Sequence, residues 1–170
     1  MNMTIMKMMC FMLGIAVSGL AISNETAENA STAYGDWGVQ CGQKQNDTVE
    51  VCQATQMLWL EQDDKKQKLL TLLLMPSNDD GKILQLGLPL GVDLRPGIVI
   101  AVDDGKEESF DYALCSNLDC SSFVLMTQER LSAFEKGNVL KIGFRPFGSQ
   151  QTVVLEASLK GFTKASNRVK

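Results

Sequence analysis

Histidine is absent from all 170 residues of this sequence. Histidine is the side chain most often used as a general base and as a metal ligand, so its absence excludes the usual Ser–His and histidine–metal catalytic designs. No Gly-x-Ser-x-Gly segment is present either, so no serine nucleophile is indicated. The sequence therefore predicts a protein that is not an enzyme, with no cofactor and no metal-binding residues.

Clusters of basic residues are also missing. The chain has 16 Lys and Arg against 20 Asp and Glu, a net charge of −4. An acidic surface repels phosphate backbones, so no nucleic-acid partner is expected. The Asp-Asp-Gly triplets at 79–81 and 103–105 lack the alternating carboxylates and the distal Glu of a calcium loop, and we interpret both as hairpin turns.

Long apolar runs are confined to the N-terminus. The segment Met8–Ile22 carries no charge, and Lys7 is the only charged residue in 1–23. This run is shorter than the ~20 residues that a membrane-spanning helix needs, and Ala21 and Ser23 are small enough for a signal peptidase site. The sequence predicts a signal peptide at 1–23, removed after Ala21 or Ser23, and an exported protein with no membrane span after cleavage.

The rest of the chain is predicted to form one domain. Residues 24–33 are small and polar and predict a flexible arm, whereas 166–170 are interpreted as a C-terminal tail. Residues 34–165 contain about nine short strand-like segments separated by turns, which indicates an all-β, antiparallel domain with a sandwich or barrel-like architecture. One short helix is predicted at 128–136, with Thr127 as its N-cap and Gly137 at its end.

Three further features bear on possible binding surfaces, and two of them have two interpretations each. Trp37 and Trp59 could line a ligand site, but their apolar strand contexts predict core positions. The block Glu61–Lys68 carries balanced charges and is interpreted as a solvated hairpin loop. The segment Leu88–Gly97 has two prolines and two glycines in an apolar setting, which predicts a fixed connection that either presents a binding surface or only joins two strands.

The cysteines indicate a disulfide framework. Cys10 is lost with the signal peptide, which leaves Cys41, Cys52, Cys115 and Cys120, an even number in an oxidising compartment. Local pairs, Cys41 with Cys52 and Cys115 with Cys120, are favoured because each brackets a polar, turn-rich stretch. A zinc site and a redox dithiol are the alternatives, but no C-x-x-C spacing supports either.

Four short segments between about Tyr34 and Ala165 have an order and spacing typical of a known family. They are Gly35–Cys41, Leu88–Val92, Tyr112–Cys115 with Cys120 and Phe123, and Leu159–Phe162. As an ordered set with four cysteines, they resemble the invasion-associated locus B family of bacterial exported proteins.

The resemblance implies a sandwich-like domain in the periplasm or envelope of a Gram-negative bacterium, linked in pathogens to the invasion of host cells and erythrocytes. The structural features that the resemblance implies for this chain are the Trp37–Cys41 strand, the Leu88–Val92 turn and the two cysteine pairs. It implies no catalytic residue.

Residues and resemblance together predict a non-catalytic interaction module that binds a protein in the envelope or on a host surface. Its expected location is the periplasm, the outer membrane or the secreted fraction. Two other functions stay open: a periplasmic redox factor that uses the Cys115–Cys120 disulfide, and a periplasmic inhibitor or chaperone that binds through an exposed strand edge.

Overall fold

The computed structural model of the chain describes residues 31–43, 50–78 and 81–170. The predicted signal peptide and the predicted arm up to residue 30 lie outside the described residues. Within the described ranges, no helix is both long enough and apolar enough to cross a membrane.

Two antiparallel sheets pack against each other. The seven-stranded sheet contains β1 (Thr32–Tyr34), β2 (Trp37–Gln43), β3 (Glu50–Gln62), β4 (Lys65–Pro76), β5 (Lys82–Leu88), β8 (Leu114–Cys115) and β9 (Cys120–Leu125). The four-stranded sheet contains β6 (Ile98–Val102), β7 (Glu108–Phe110), β10 (Val139–Phe144) and β11 (Val153–Ser158).

The spatial order of the strands is β1-β2-β3-β4-β5-β9-β8 in the first sheet and β11-β10-β6-β7 in the second. Neither sheet closes into a barrel among the described residues, so the all-β antiparallel prediction is confirmed in its sandwich form.

Buried residues recur at every second position of the central strands. Leu70, Leu72 and Leu74 on β4 are fully buried, as are Leu84 and Leu86 on β5, and Leu72 pairs with Leu86. Successive side chains of a strand point to opposite faces, so this set fills the core between the sheets while its neighbours face away. The apolar run Leu69–Met75 lies within β4 and forms a buried strand; a run this short between turns favours a strand over a helix.

The two sheets are joined at one end by side-chain hydrogen bonds. The Ser158 carbonyl at the end of β11 accepts from Trp37 Nε1 at 3.1 Å and from Gln56 Nε2 at 3.0 Å. Trp37 is buried, as the sequence predicts. These two donors fix the edge of the small sheet to β2 and β3 of the large one.

The predicted helix is present as α1 (Gln128–Lys136). The Thr127 side chain caps it by accepting from the backbone N–H of Arg130, as expected. Gly137 ends the helix for a packing reason, because a Cβ at this position would lie 2.2 Å from Val102 Cγ1.

A second helix, α2 (Phe162–Ser166), was not predicted. The Phe162 ring lies 5.2 Å from the rings of both Trp37 and Phe134, so α2 joins β2 to α1 through an aromatic cluster. Its first turn is possible because Gly161 has a φ of 93° and lies directly against the Tyr34 backbone. Five residues are too few for a helical periodicity to be recognised in the sequence.

Both predicted domain boundaries need correction. Thr32–Tyr34 form β1, so the last residues of the predicted arm belong to the sheet. Val169 is only 1% exposed, so the predicted tail at 166–170 packs into the core. An apolar residue near a chain end is buried here because α2 turns the chain back onto the sandwich.

The block Glu61–Lys68 forms the solvated end of the β3–β4 hairpin, as predicted, although most of it is strand and not loop. Strands β3 and β4 continue through it and turn at Asp63 and Asp64, whose φ values of 51° and 59° are left-handed. In the described residues, these outer ends pair only with each other, so the hairpin projects beyond the sheet.

The prediction that Trp59 is a core residue is wrong. The β3–β4 register shifts between Leu58 and Trp59, and Trp59 lies on the projecting hairpin, where it is 45% exposed. Its ring is covered on one side by Lys66 Nζ, 5.1 Å from the ring centroid. An apolar strand pattern does not show where a hairpin extends beyond its neighbours.

Candidate functional site

Both predicted disulfides are present. Cys41 is bonded to Cys52 across β2 and β3, and Cys115 to Cys120 across β8 and β9. Glu50 lies near the first pair, but both sulfurs are held in the covalent bond and are not free thiolates for a metal ion.

The Cys115–Cys120 hairpin is built as a tight, ordered turn. Ser116 Oγ accepts from the backbone N–H groups of Leu118 and Asp119, and the Ser116 N–H donates to the Asp119 carbonyl at 2.8 Å. Cys115 is exposed whereas Cys120 is buried. The proposed redox use of this disulfide stays a prediction.

The seven-stranded sheet also has an outer face, the side that points away from the four-stranded sheet. Its paired positions across β3, β4, β5 and β9 are Thr55, Leu73, Gln85 and Phe123 in one row, Met57, Thr71, Gly87 and Ser121 in the next, and Met75, Ile83 and Leu125 in the third. None of these positions is charged, and Met57, Phe123 and Leu125 are exposed. Gly87 and Ser121 in the middle row are buried, so the exposed apolar side chains lie at the two sides of the face. Exposed apolar side chains on one uncharged strand face mark interaction sites in soluble proteins.

A small polar group lies within the outer face at its β8 edge. Asp119 Oδ1 accepts from Ser121 Oγ at 3.2 Å, and Ser121 Oγ accepts from Gln85 Nε2 at 2.9 Å. The Asp119 carboxylate approaches β5 because Gly87 has no side chain; a Cβ there would lie 2.8 Å from Asp119 Oδ2. The outer face is therefore apolar, with hydrogen-bonding groups at one edge.

A second exposed apolar surface lies at one end of the sandwich, and we call it the apolar tip. It consists of Leu90, Leu94 and Phe147, with Phe147 76% exposed. Two turns carry these side chains. One is the segment Leu88–Gly97, which the sequence predicts to be a fixed connection, and the other is the turn Phe144–Ser149, which was not predicted. The Pro-Phe-Gly triplet of the second turn was the available signal.

Backbone hydrogen bonds hold the two turns together. Phe147 N–H donates to the Gly91 carbonyl and Asp93 N–H to the Arg145 carbonyl, both at 2.7 Å. Gly91 and Gly97 have φ values of 94° and 71°, which side-chain-bearing residues rarely adopt. The prediction of a fixed turning connection is confirmed.

Beneath the tip, one buried carboxylate is shared by two guanidinium groups, and we call this arrangement the Asp93 clamp. Asp93 accepts from Arg95 Nε and Nη2 at 2.8 Å each, and from Arg145 Nη2 at 2.7 Å. Hydrogen bonds from Arg95 lower the pKa of the Asp93 carboxyl well below its usual value; burial acts in the opposite direction, and Arg145 lowers it further. The clamp is a fixed ionic arrangement and not a proton donor or acceptor near neutral pH.

Tyr112 lies close to the clamp. Its hydroxyl group is buried and has no hydrogen-bond partner among the described residues. Burial, together with the negative charge of Asp93, raises the pKa of Tyr112 to about 12. This tyrosine is therefore a neutral packing residue that braces the base of the tip.

A cleft of about 390 Å³ lies between α1 and β6. Two charged residues that line this cleft, Arg130 and Glu108, form an ion pair in which Arg130 Nη2 lies 2.7 Å from Glu108 Oε2. The pKa of Glu108 is lowered by Arg130 and that of Arg130 is raised by Glu108, so neither is tuned as an acid or a base near neutral pH.

The Asp-Asp-Gly triplet at 103–105 forms a turn, as predicted. Gly105 N–H donates to the Val102 carbonyl at 2.8 Å, the Asp103 carboxylate accepts from the Val139 N–H, and Asp104 pairs with Lys141. In the other triplet, residues 79 and 80 lie outside the described part of the chain.

Comparison with known proteins identifies the family. The model of the Invasion associated locus B (IalB) protein family matches residues 37–170. The chain belongs to the invasion-associated locus B family. The resemblance recognised from the ordered segments is confirmed.

Relatives in this family match over nearly the whole chain. Invasion protein B homologs from two strains of Brucella abortus, strain 2308 and biovar 1 strain 9-941, are 28% identical over 171 residues, which is 92% of this chain and 94% of theirs. The crystal structure of invasion associated protein B from Bartonella henselae matches with a TM-score of 0.70 at 21% identity, over 82% of this chain and 93% of that one. The fold is therefore shared with a solved structure.

The segments that carried the family resemblance have clear structural positions. The Trp37–Cys41 segment forms most of β2 and supplies the core tryptophan and one disulfide. Leu88–Val92 begins the apolar tip, and Tyr112 braces it from below. Leu159–Phe162 leads into α2 and the aromatic cluster. In this invasion-associated locus B protein, the segments that carry the family resemblance therefore lie in the core, in a disulfide and in the turn that supports the apolar tip.

Proposed function

We propose that this protein is an exported, non-catalytic interaction module of the bacterial envelope that contributes to the invasion of host cells. It binds a protein partner through the outer face of the seven-stranded sheet. Family membership supports the link to invasion, and the apolar Met8–Ile22 run supports export.

The outer face, whose paired strand positions carry no charge, is the observation that carries this proposal. Rows of paired side chains from four strands present Phe123, Leu125 and Met57 to solvent, while the rest of the chain is acidic. A partner that covers this face needs an apolar surface of its own and gains by removing both surfaces from water. The Asp119 and Gln85 side chains at the edge supply polar contacts that fix its orientation.

The partner is a protein and not a polyanion such as nucleic acid. The rows of the outer face offer no cation that could pair with phosphate groups. Non-catalytic action is supported by the complete lack of histidine and by the mutual neutralisation of the Asp93 clamp and of the Arg130–Glu108 pair.

The test is complementation of a deletion strain of the source bacterium. The wild-type gene should restore invasion of cultured cells or erythrocytes, whereas the double variant Phe123→Ser, Leu125→Ser should not, although it reaches the envelope at the wild-type level. Leu60→Ser, which changes an exposed apolar residue on the projecting hairpin, is the matched control and should restore invasion. Full restoration by the double variant, or normal invasion by the deletion strain, would contradict the proposal.

Export is tested separately by the intact mass of the protein recovered from the envelope. We expect a mass that lacks the residues up to Ala21 or Ser23 and no thiol that reacts with an alkylating reagent before reduction. A full-length mass would refute cleavage, and reactive thiols before reduction would bring back the redox function of Cys115 and Cys120.

A further inference from the structure

The apolar tip has features that the outer face lacks. Its three exposed side chains, Leu90, Leu94 and Phe147, protrude from two turns at one end of the molecule and do not line a groove. A stable protein interface buries on the order of 800 Å² on each partner and depends on complementary shape. Three side chains on two turns are too few for such an interface, whereas the acyl region of a bilayer accepts single apolar side chains of any shape.

The charges around the tip are one-sided. The segments Leu88–Gly97 and Phe144–Ser149 contain three charged residues, namely Asp93, Arg95 and Arg145. The side chain of Asp93 is only 4% exposed, whereas that of Arg95 is 79% exposed. Within these two segments the exposed charge is therefore cationic, although the exposed Asp111 lies with its backbone against Gly97 and the chain as a whole is acidic.

The tip is also held rigid while its apolar side chains remain in water. The Asp93 clamp and the two backbone hydrogen bonds fix the two turns that carry Leu90 and Phe147 against each other. Side chains that are ordered in advance lose less conformational freedom on binding.

We propose that the apolar tip is a membrane-docking site for bilayers that contain anionic phospholipids. Leu90, Leu94 and Phe147 enter the boundary between headgroups and acyl chains, and Arg95 lies at the level of the lipid phosphates. Apolar insertion combined with a basic group is the usual pattern of reversible surface binding. Because the tip is at one end of the sandwich, docking leaves the outer face free for a protein partner.

The first experiment is flotation of the purified protein with vesicles of phosphatidylcholine alone or of phosphatidylcholine mixed with phosphatidylglycerol. We expect flotation with the mixed vesicles and a lower affinity both for phosphatidylcholine alone and in high salt. The double variant Leu90→Ser, Phe147→Ser should weaken binding about tenfold or more. All samples share one N-terminus, checked by mass, so any binding by the Met8–Ile22 segment affects them equally.

Trp59→Ser with Leu60→Ser is the matched control, since it replaces an exposed aromatic residue and an exposed leucine on the projecting hairpin, outside both proposed surfaces. It should float like the wild type. If no protein floats with the mixed vesicles, or if the Leu90, Phe147 variant floats as well as the control, the proposal is wrong. The assay contains no protein partner, so its failure leaves the outer-face proposal untouched.

A spectroscopic readout does not depend on affinity alone. Phe147→Trp in a Trp59→Phe background leaves Trp37, which is buried, as the other indole. Mixed vesicles should shift the emission of the indole introduced at the tip to shorter wavelength, because that side chain leaves water. An unchanged spectrum with bound vesicles would show that a different surface docks, and would overturn the assignment to the tip.

Discussion

Replacing Phe162 by Ala tests the part of the fold that the sequence did not predict. The ring is fully buried between Trp37 and Phe134, with both centroid distances at 5.2 Å. Removing a buried Phe side chain typically costs about 3–5 kcal/mol, which includes the cavity and the lost aromatic pairs. A domain of this kind is stable by about 5–15 kcal/mol, so the variant should fold with much reduced stability.

The assay is urea unfolding of the oxidised protein, followed by circular dichroism. For a slope of about 2 kcal/mol per molar urea, a loss of about 4 kcal/mol moves the midpoint down by about 2 M. Phe147→Ala is the matched control, because it makes the same chemical change at the 76% exposed ring of the apolar tip. Its free energy of unfolding should stay within about 0.5 kcal/mol of wild type. Equal effects of the two substitutions would refute the claim that α2 completes the core.

Four other outcomes follow from the structure. Asp93→Asn should lower the free energy of unfolding at neutral pH. The difference from wild type should shrink as the pH falls below about 4, because the pKa of the Asp93 carboxyl is lowered in the folded state and its stabilising contribution is lost on protonation. Urea unfolding at several pH values measures this. In an alkaline absorbance titration, one tyrosine should ionise near pH 12, and Tyr112→Phe should abolish that step. The variant should be at least as stable as wild type, because the hydroxyl that it removes has no hydrogen-bond partner among the described residues. Serine in place of both Cys115 and Cys120 should cost on the order of 2 kcal/mol, and loss of the longer Cys41–Cys52 loop slightly more, as measured by unfolding midpoints. Reducing conditions break both disulfides and should cost about the sum of the two. Val169→Asp should destabilise the domain by several times as much as the exposed change Lys170→Asp, since only the first buries a charge; equal midpoints would show that the chain end is not part of the core.

The local pattern of the sequence determined most of the secondary structure. Helix α1 begins and ends at the predicted residues, because the Thr127 cap and Gly137 act over a few neighbouring positions. The disulfide pairs were predictable for a similar reason. Each joins cysteines that directly face each other on adjacent strands of one hairpin, so the pairing depends on short chain segments.

The tertiary structure alone decided which apolar residues stay exposed. Trp37 and Trp59 have equivalent local contexts, yet one is buried under α2 and the other lies on a hairpin that extends beyond its sheet. The outer face was invisible for the same reason, because a run such as β4 is apolar on both sides and only the sheet order shows which side the second sheet covers.

The apolar tip shows both contributions in one place. The prolines and glycines of Leu88–Gly97 predicted a fixed turn, since they restrict or extend the backbone angles by themselves. Phe147 lies beside this turn, and Arg145 shares Asp93 with Arg95, because β10 ends next to the turn. Arg145 lies 52 residues further along the chain than Asp93. The residues of each turn thus determined its shape locally. The two turns form one surface only because distant segments pair, and that pairing depends on the packing of the whole core.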